Sequence, residues 1–504
     1  MNKIVTLDNL IQISKKIRAQ NKKIVMCHGV FDLLHYGHIH HFNESKKLGD
    51  TLVVSITSSK FVNKGPGRPY FDNTIRAKSL EALKSIDYVF INEAATPINL
   101  INSIKPNVYS KGQDYKKNSL DLTKNIKIEK EAVRKNNGVI FITEGITFSS
   151  SNLLNLHFDH RKDKKKNFLE RIKKKFSFEE IVNIIEGFAS LQGLVIGETI
   201  IDQYNFCEAV GKSGKEPVMV FKDLKTETYL GGAPYIARHL SSFSKKINLI
   251  SMIGNDKKHE QFIKKNLEKN IHSQFLKRLN KPTITKKRII NKSTGSKVYG
   301  VYDYSDDLLA KVEEDKIIKM IDRVKKIDFV IIADFGHEMI TKKIIQKLKN
   351  KTNFLICNSQ LNAINRGYHD LRKYNKTKCI VINESEMRYE LRNKEDNIEK
   401  LMLTLKRKMQ LEILIVTRGG KGVILIDKKN RFYKCGAYAK NIIDKVGSGD
   451  TLMAVLANFL KNKIDFELSL LISSVAAGFA VETFGNSKIV NKKEIIKSLY
   501  HILK

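Results

Sequence analysis

The chain has 504 residues, with 90 Lys and Arg against 53 Asp and Glu, and a formal net charge of +37. That length is too great for one core and predicts two or three domains, and no apolar run reaches the roughly 18 residues of a transmembrane helix. The five scattered cysteines (Cys27, Cys207, Cys357, Cys379 and Cys435) exclude a disulfide framework or a CxxC metal knuckle. Residues 1–8 carry no apolar leader core, so a cytoplasmic location is expected. Lysines are spread along the whole chain. The charge therefore reads as a compositional bias that attracts phosphorylated substrates, with no nucleic-acid or membrane partner expected.

Residues 8–19 read as a helix. The apolar run 23–27 reads as a buried strand, followed by His28-Gly29-Val30-Phe31-Asp32-Leu33-Leu34-His35-Tyr36-Gly37-His38 and a helical pattern near 39–48. A strand, a glycine-bearing turn and a helix start leave free N–H groups where phosphate is favoured. His35 and His38, three apart, share one face there and can donate hydrogen bonds to oxygens that gain charge in a transition state. Strand patterns at 51–56, 88–91, 108–110 and 139–142 alternate with helical ones at 74–84 and 125–135. This is the signature of a parallel, doubly wound sheet, which binds ligands at the carboxyl ends of its strands. Two basic loops, Lys64-Gly65-Pro66-Gly67-Arg68-Pro69 and Lys111-Gly112-Gln113-Asp114-Tyr115, follow strands at that edge. Phe148-Ser149-Ser150-Ser151-Asn152-Leu153 opens a further helix with hydroxyls suited to phosphate.

His35-Tyr36-Gly37-His38 resembles the HxGH signature of the nucleotidyltransferase superfamily. All fixed positions of its longer GxFDxxHxGH form are present: Gly29, Phe31, Asp32, His35, Gly37 and His38. The two basic loops resemble those of the sugar-phosphate branch, and the serine run resembles the family's second, triphosphate-binding signature. The resemblance implies a Rossmann-like domain over 1–158. Its reaction would be attack of a sugar 1-phosphate oxygen on the α-phosphorus of ATP or CTP, with Mg²⁺ sharing charge. It implies catalysis by His35 and His38 and nucleotide contacts from Gly29, Phe31, His35, His38, Lys111, Ser149, Ser150 and Ser151. It implies sugar-phosphate contacts from Lys64, Arg68 and Asp114. Other readings stay open on the residues themselves. The crowd His28, His35, His38, His40 and His41 could form a zinc site, the serine run could be a plain N-cap, and the basic loops could be solvated turns.

The charge run at 159–175 reads as a basic linker. After it come a helical pattern at 178–190 and strands at 194–197, 218–221 and 227–230. Asp444-Lys445-Val446-Gly447-Ser448-Gly449-Asp450-Thr451 then leads into an apolar helix. Glycines at that helix start expose N–H groups as an anion hole, and Asp450 can accept a proton from an attacking hydroxyl. Asp334-Phe335-Gly336 lacks the partners of a protein-kinase metal triplet and reads as a turn ending a strand at 329–332.

This half, 176–504, resembles the ribokinase-like (PfkB) carbohydrate kinases. Residues 444–451 resemble their DTxGxGD signature, which implies Gly447, Ser448 and Gly449 as nucleotide-side amides and Asp450 as the base. The resemblance implies a doubly wound domain with a small β lid, and a homodimer through that lid. It implies sugar contacts from Glu198, Asp202, Gly231, Gly232 and Asp450, a nucleotide loop with Thr417, Gly419 and Gly422, and Mg²⁺ contacts from Asn383 and Glu386. Glu198 replaces a usual Asp, and Tyr235 stands where a sugar-binding Asn is expected. The two halves together resemble the bifunctional enzymes of ADP-heptose synthesis, with the domain order reversed. The alternative is a cytidylyltransferase for a polyol or other sugar phosphate, fused to a kinase of different or lost activity.

Overall fold

The computed structural model describes residues 2–62, 64–65, 68–112, 125–143, 162–362, 364–365, 370–439 and 441–503. Asp114 and the serine run Ser149, Ser150 and Ser151 lie outside them. The chain divides into two compact units, Met1–Asn167 with Ile496–Lys504, and Phe168–Ile495.

The first unit is built on strands β1 (Ile24–Gly29), β2 (Thr51–Thr57), β3 (Tyr88–Asn92), β4 (Val108–Lys111) and β5 (Val139–Ile142). They form one parallel sheet in the order β3-β2-β1-β4-β5. The most apolar strand, β1, lies at its centre. Successive side chains of a strand point to opposite faces. Val25 and Cys27 accordingly join one buried cluster with Phe42, Leu52 and Val54, while Ile24 and Met26 join the other with Leu10, Val53 and Ile101. Burial on both faces is the reason a parallel strand reads as an unbroken apolar run.

The first helix of the active-site edge is Tyr36–Lys46, three residues earlier than its apolar pattern begins. His35 is its N-cap in extended conformation (φ −144°, ψ 169°), with no side-chain capping bond. Under the adjoining turn lies Arg76, 1% exposed. Its guanidinium donates to the carbonyls of Phe71, Val30 and Thr57 and to Ser59 Oγ and Asn73 Oδ1, at 2.8–3.1 Å. Arg76→Met would strand several of these buried acceptors. It is expected to destabilise this unit by about 2–4 kcal/mol, read as a lower urea midpoint.

The second unit has strands β6 (Gln192–Lys212), β7 (Met219–Gly231), β8 (Lys246–Gly254), β9 (Ile271–Arg278), β10 (Thr285–Asn291) and β11 (Lys297–Asp303). They are followed by β12 (Phe329–Asp334), β13 (Leu355–Ser359), β14 (Cys379–Asn383), β15 (Ile413–Thr417), β16 (Val423–Ile426) and β17 (Phe432–Cys435). β6 serves two sheets. Its first part pairs with β8 and β12 in the main sheet, β9-β8-β6-β12-β13-β14-β15-β16-β17, which is parallel through β15. From Ile200 onward it pairs with β7 and β10 in a small lid, β7-β6-β10-β11. The pieces expected as two strands at 218–221 and 227–230 are one strand, β7. Its intervening polar residues stay extended because the far half of β6 supplies an antiparallel partner along the whole length.

The run expected as a linker is helical over Lys162–Lys175. Phe168 and Ile172 are buried, and Arg171 and Lys175 pair with Glu467 at 2.8 and 2.9 Å. Two apolar side chains four residues apart are enough to dock a helix whose other faces are charged.

Candidate active sites

In the first unit, β1 delivers Gly29 and the turn to the carboxyl edge of the sheet. Phe31, at φ +46°, lays its ring against His38 (centroids 5.3 Å) and Phe42 (5.0 Å). It is thus a wall of the site packed on the core. His35 and His38 stack face to face, with centroids 3.9 Å apart and an interplanar angle of 18°. Burial, together with the charges of His35, Lys64 and His41, lowers the His38 pKa to about 3. His38 is therefore neutral at physiological pH, and its Nδ1 finds no hydrogen-bond partner among the described residues. The stacked rings sit beside the uncapped N–H groups of their helix, and the charge of Lys64 is felt there, as a polyphosphate site requires.

Two expected contacts, Arg68 and Lys111, have partners within the protein. Asp32 accepts the Tyr70 and Phe71 N–H groups at 2.7 and 2.9 Å and lies 3.6 Å from Arg68. Asp32 and Arg68 thus tie the 68–71 loop to the HxGH turn. Lys111 is buried against Glu129 at 3.0 Å, and Glu129 also accepts from the Tyr109 hydroxyl. Lys111 therefore acts on the site through its field. The zinc reading does not survive the geometry. His28 bonds Ser55 and Thr57, His41 bonds Thr143, and no three His, Cys, Asp or Glu residues converge as a metal group among the described residues.

In the second unit, Gly447 caps the helix Ser448–Lys461 at φ +78° with no side chain closing its N-terminus. A Cβ at Gly447 would lie 2.3 Å from Asn486 Oδ1, so only glycine fits. The first N–H groups of this helix are left without a side-chain cap, as an anion hole would need, and Asp450 stands in its first turn. Asp450 makes no hydrogen bond among the described residues. Burial first, then Asp202 and Glu386, push its carboxyl up to about 7. Asp444 braces the loop from below. It accepts from Tyr204 Oη (2.7 Å), Lys297 Nζ (2.5 Å) and the Val446 and Gly485 amides (both 3.1 Å). Burial opposes ionisation of Asp444, but Lys297 and Tyr204 hold the carboxyl below its ordinary value.

Tyr235 is buried under the helix Ser448–Lys461. Its hydroxyl is 3.2 Å from Thr451 Oγ1, which also meets His239 Nε2 at 3.1 Å. The Val490 N–H donates to His239 Nδ1 (3.3 Å), so Nε2 carries the proton. This buried chain fixes the turn that presents Asp450. Asp202 does face the Asp450 region, held by Arg288 and by Asn486 Nδ2 at 2.8 Å. Gly231 lies against it, where a Cβ would sit 2.3 Å from Asp202 Oδ2, while a Cβ on Gly232 would sit 2.2 Å from the Glu198 carbonyl oxygen.

Glu198, expected at the sugar, is fully buried. Its carboxylate accepts the N–H groups of Phe335 (2.8 Å), His337 and Met339 (both 3.3 Å). It shapes the turn after β12. Asp334 in that turn is buried and paired with Lys373 at 2.7 Å. Asn383 and Glu386 form a reciprocal capping box at the end of β14, and Leu361 N–H also donates to Glu386. This donor set builds no metal cage. A Mg²⁺ brought by a triphosphate needs only one or two carboxylates, and Glu386, whose charge is felt at Asp450, fits that lesser part. Thr417, the register partner of Asn383, opens the loop with Gly419 and Gly422, so the expected nucleotide loop stands beside the capping box.

Sequence reading missed Lys286, Arg288, His337 and Asn486. The alternation of Lys286 and Arg288 along a strand was the one signal that two cations share a face.

The pfkB family carbohydrate kinase model matches residues 192–493, well over half of the chain, and the chain belongs to that family. A cytidylyltransferase-like model matches residues 26–155. Among curated relatives, the chain is similar to "Bifunctional protein HldE" of Nitratiruptor sp. (27% identity; 58% of this chain, 62% of the relative). It is similar to the protein of the same name from Haemophilus influenzae strain PittEE (28% identity; 60% and 62%). The chain thus spans about three fifths of the length of these relatives. Phosphofructokinase-2 from Escherichia coli shares the fold of the second unit, with a TM-score of 0.51, 11% identity, and cover of 63% of this chain and 100% of that one. No helix among the described residues is long and apolar enough to cross a membrane.

Proposed function

We propose that this chain makes a nucleotide-activated sugar in two steps. The second unit phosphorylates a sugar, heptose 7-phosphate at its anomeric oxygen, with ATP. The first unit transfers a nucleotidyl group to a sugar 1-phosphate, giving ADP-heptose and pyrophosphate once a separate phosphatase has hydrolysed the 7-phosphate of the kinase product. The observation that carries this reading is the presence in one chain of two phosphate-handling helix starts, one with the His35–His38 stack and one with the unpartnered Asp450.

In the kinase step, Asp450 takes the proton of the attacking hydroxyl while the N–H groups of Ser448 and Gly449 hold the transferred phosphoryl oxygens. In the transferase step no covalent intermediate forms. His38, neutral, donates to phosphate oxygens as the bond to the α-phosphorus forms and that to pyrophosphate breaks. Mg²⁺, bound with either triphosphate, supplies charge neutralisation, and Glu386 is the carboxylate we assign to it in the kinase half. Five buried free thiols support a cytoplasmic enzyme.

The test supplies purified protein with Mg²⁺, heptose 7-phosphate, and ATP or CTP, with mass detection of products. Sugar bisphosphate from heptose 7-phosphate with ATP, and nucleotide-sugar with pyrophosphate from a separately supplied heptose 1-phosphate with one triphosphate, are the expected outcomes and fix the base. Formation of neither product defeats the reading.

The lid supports a homodimer. Met219 and Val220 on β7, and Val298, Tyr299 and Val301 on β11, are all exposed on a small open sheet. Sedimentation should give a dimer, and Val220→Glu should shift it towards monomer. A monomer at micromolar wild-type protein would refute the interface.

A further inference from the structure

Lys297 stands on β11, an edge strand of the lid, yet it bonds Asp444 in the loop before the Ser448–Lys461 helix, 147 residues on. A β-bulge aims it there. Ile289 pairs with Tyr299, but Ile290 pairs with Lys297, so Val298 is an extra residue with no partner on β10. Residues directly opposite in a ladder share a face, and so do alternate residues of one strand. Lys297 therefore shares the face of Ile290 and Arg288, the face from which Arg288 reaches Asp202. In an unbroken ladder Lys297 would oppose Asn291 and point away from the loop.

The pair matters more to Asp444 than to the lid. The Lys297 ammonium lies 2.5 Å from Asp444 Oδ1 and 5.6 Å from the centre of the Tyr204 ring, whose hydroxyl donates to Asp444 Oδ2. The Lys297 side chain is 37% exposed and that of Asp444 only 1%. A half-exposed ammonium gains little from one ion pair, whereas a buried carboxylate stripped of its cation loses much.

Asp444 passes the constraint on. Its Oδ1 also accepts the Val446 N–H at 3.1 Å. Val446 precedes Gly447, the helix cap, where a Cβ would strike both Asn486 and the Tyr235 ring. Ser448 and Gly449, whose N–H groups we assign to the transferred phosphoryl oxygens, follow directly. The lid also packs on the neighbouring loop: the Tyr204 and Tyr229 rings close on Gly485, and Phe206 meets Phe484 edge to face (centroids 5.7 Å).

We propose that Lys297 is a positioning residue for phosphoryl transfer: by holding Asp444 from the lid it sets the amides of the 446–449 turn, so that the anion hole is in order only while this lid strand is in place. The proposal rests on the sugar-kinase reading of this unit. In this role Lys297 acts through Asp444 and need touch neither sugar nor nucleotide. Its loss should therefore appear in kcat rather than in the KM for the sugar.

Steady-state ADP release by the full chain, with heptose 7-phosphate, ATP and Mg²⁺, tests this. Lys297→Met should lower kcat about 10- to 100-fold and change the sugar KM less than about threefold, the pattern of a reacting group held slightly out of place. Pyrophosphate release by the first unit should be unchanged, and Lys297→Arg should recover most of kcat. Lys297→Ala should regain activity with added ethylammonium, a cation with N–H donors, and not with tetramethylammonium, which has the charge alone. A merely structural role would not tell these two cations apart. Lys297→Gln, which keeps the stem without the charge, decides the matter if Lys297→Met fails to fold, as judged by circular dichroism. A folded uncharged variant with wild-type kcat, a loss confined to KM, or an equal response to the two cations would overturn the role and leave the kinase reading intact. No ADP release by the wild type from any sugar would instead sink the kinase reading, and this role with it.

Discussion

Replacing Asp450 by Asn is expected to slow ATP-dependent sugar phosphorylation by about 10²- to 10⁴-fold, the range of a positioned general base, and to leave nucleotidyl transfer unchanged. The substitution keeps the shape of the side chain and its helix position. It breaks no hydrogen bond among the described residues, so the loss would report proton acceptance. The wild-type pH profile gives an independent reading. Burial, Asp202 and Glu386 place the Asp450 carboxyl at about 7, and only its ionised form accepts a proton. Phosphorylation should therefore rise with pH through about 7 and fall about tenfold per unit well below it. The same shift has a sign in stability. A carboxyl whose pKa is higher folded than unfolded binds more protons when folded, so stability falls as pH rises from about 4 to 7. Asp450→Asn should remove that fall and melt no lower than wild type at pH 8. A flat rate profile from pH 6 to 8, with a variant retaining activity, would reject the base assignment.

What the sequence made legible was local. The runs 28–38 and 444–451 each hold their chemistry in a contiguous strand–turn–helix or loop–helix start, where backbone geometry and side chains are neighbours in the chain. That the first unit holds a parallel sheet followed from the alternation of strand and helix patterns, whereas the strand order did not. What stayed hidden depends on partners distant in the chain. Glu198 reads as a sugar contact until the 335–339 turn is seen to close over it, 137 residues on in the bond to Phe335. Tyr235 reads as a misplaced sugar residue until Thr451, 216 residues away, is found at its hydroxyl. Arg288 finds its partner only through the β6–β10 pairing, which brings it to Asp202, 86 residues away. The helix at 162–175 was masked by charge: its two docking side chains are few, and the lysines around them dominate its composition.

His38→Ala is expected to lower nucleotidyl transfer by about 10²- to 10³-fold, the cost of losing one donor to charge that develops in the transition state, while ADP formation by the kinase unit continues. Pyrophosphate release from a supplied sugar 1-phosphate should then fall while ADP release from heptose 7-phosphate is unchanged. The stack explains why one ring cannot replace the other. Two imidazoles 3.9 Å apart cannot both be cations at low cost, and burial already holds His38 neutral. His38 therefore contributes a directed N–H rather than a diffuse charge, so an added imidazole or a nearby lysine is a poor substitute. His38→Asn, which retains an N–H donor, should recover part of the rate, whereas a purely structural role for the ring against Phe31 and Phe42 would make Leu the better replacement. The order Asn above Leu above Ala in pyrophosphate release, at equal thermal stability, is expected if donation and packing both count and donation dominates. Leu above Asn would falsify the donor role and reduce His38 to a wall of the site.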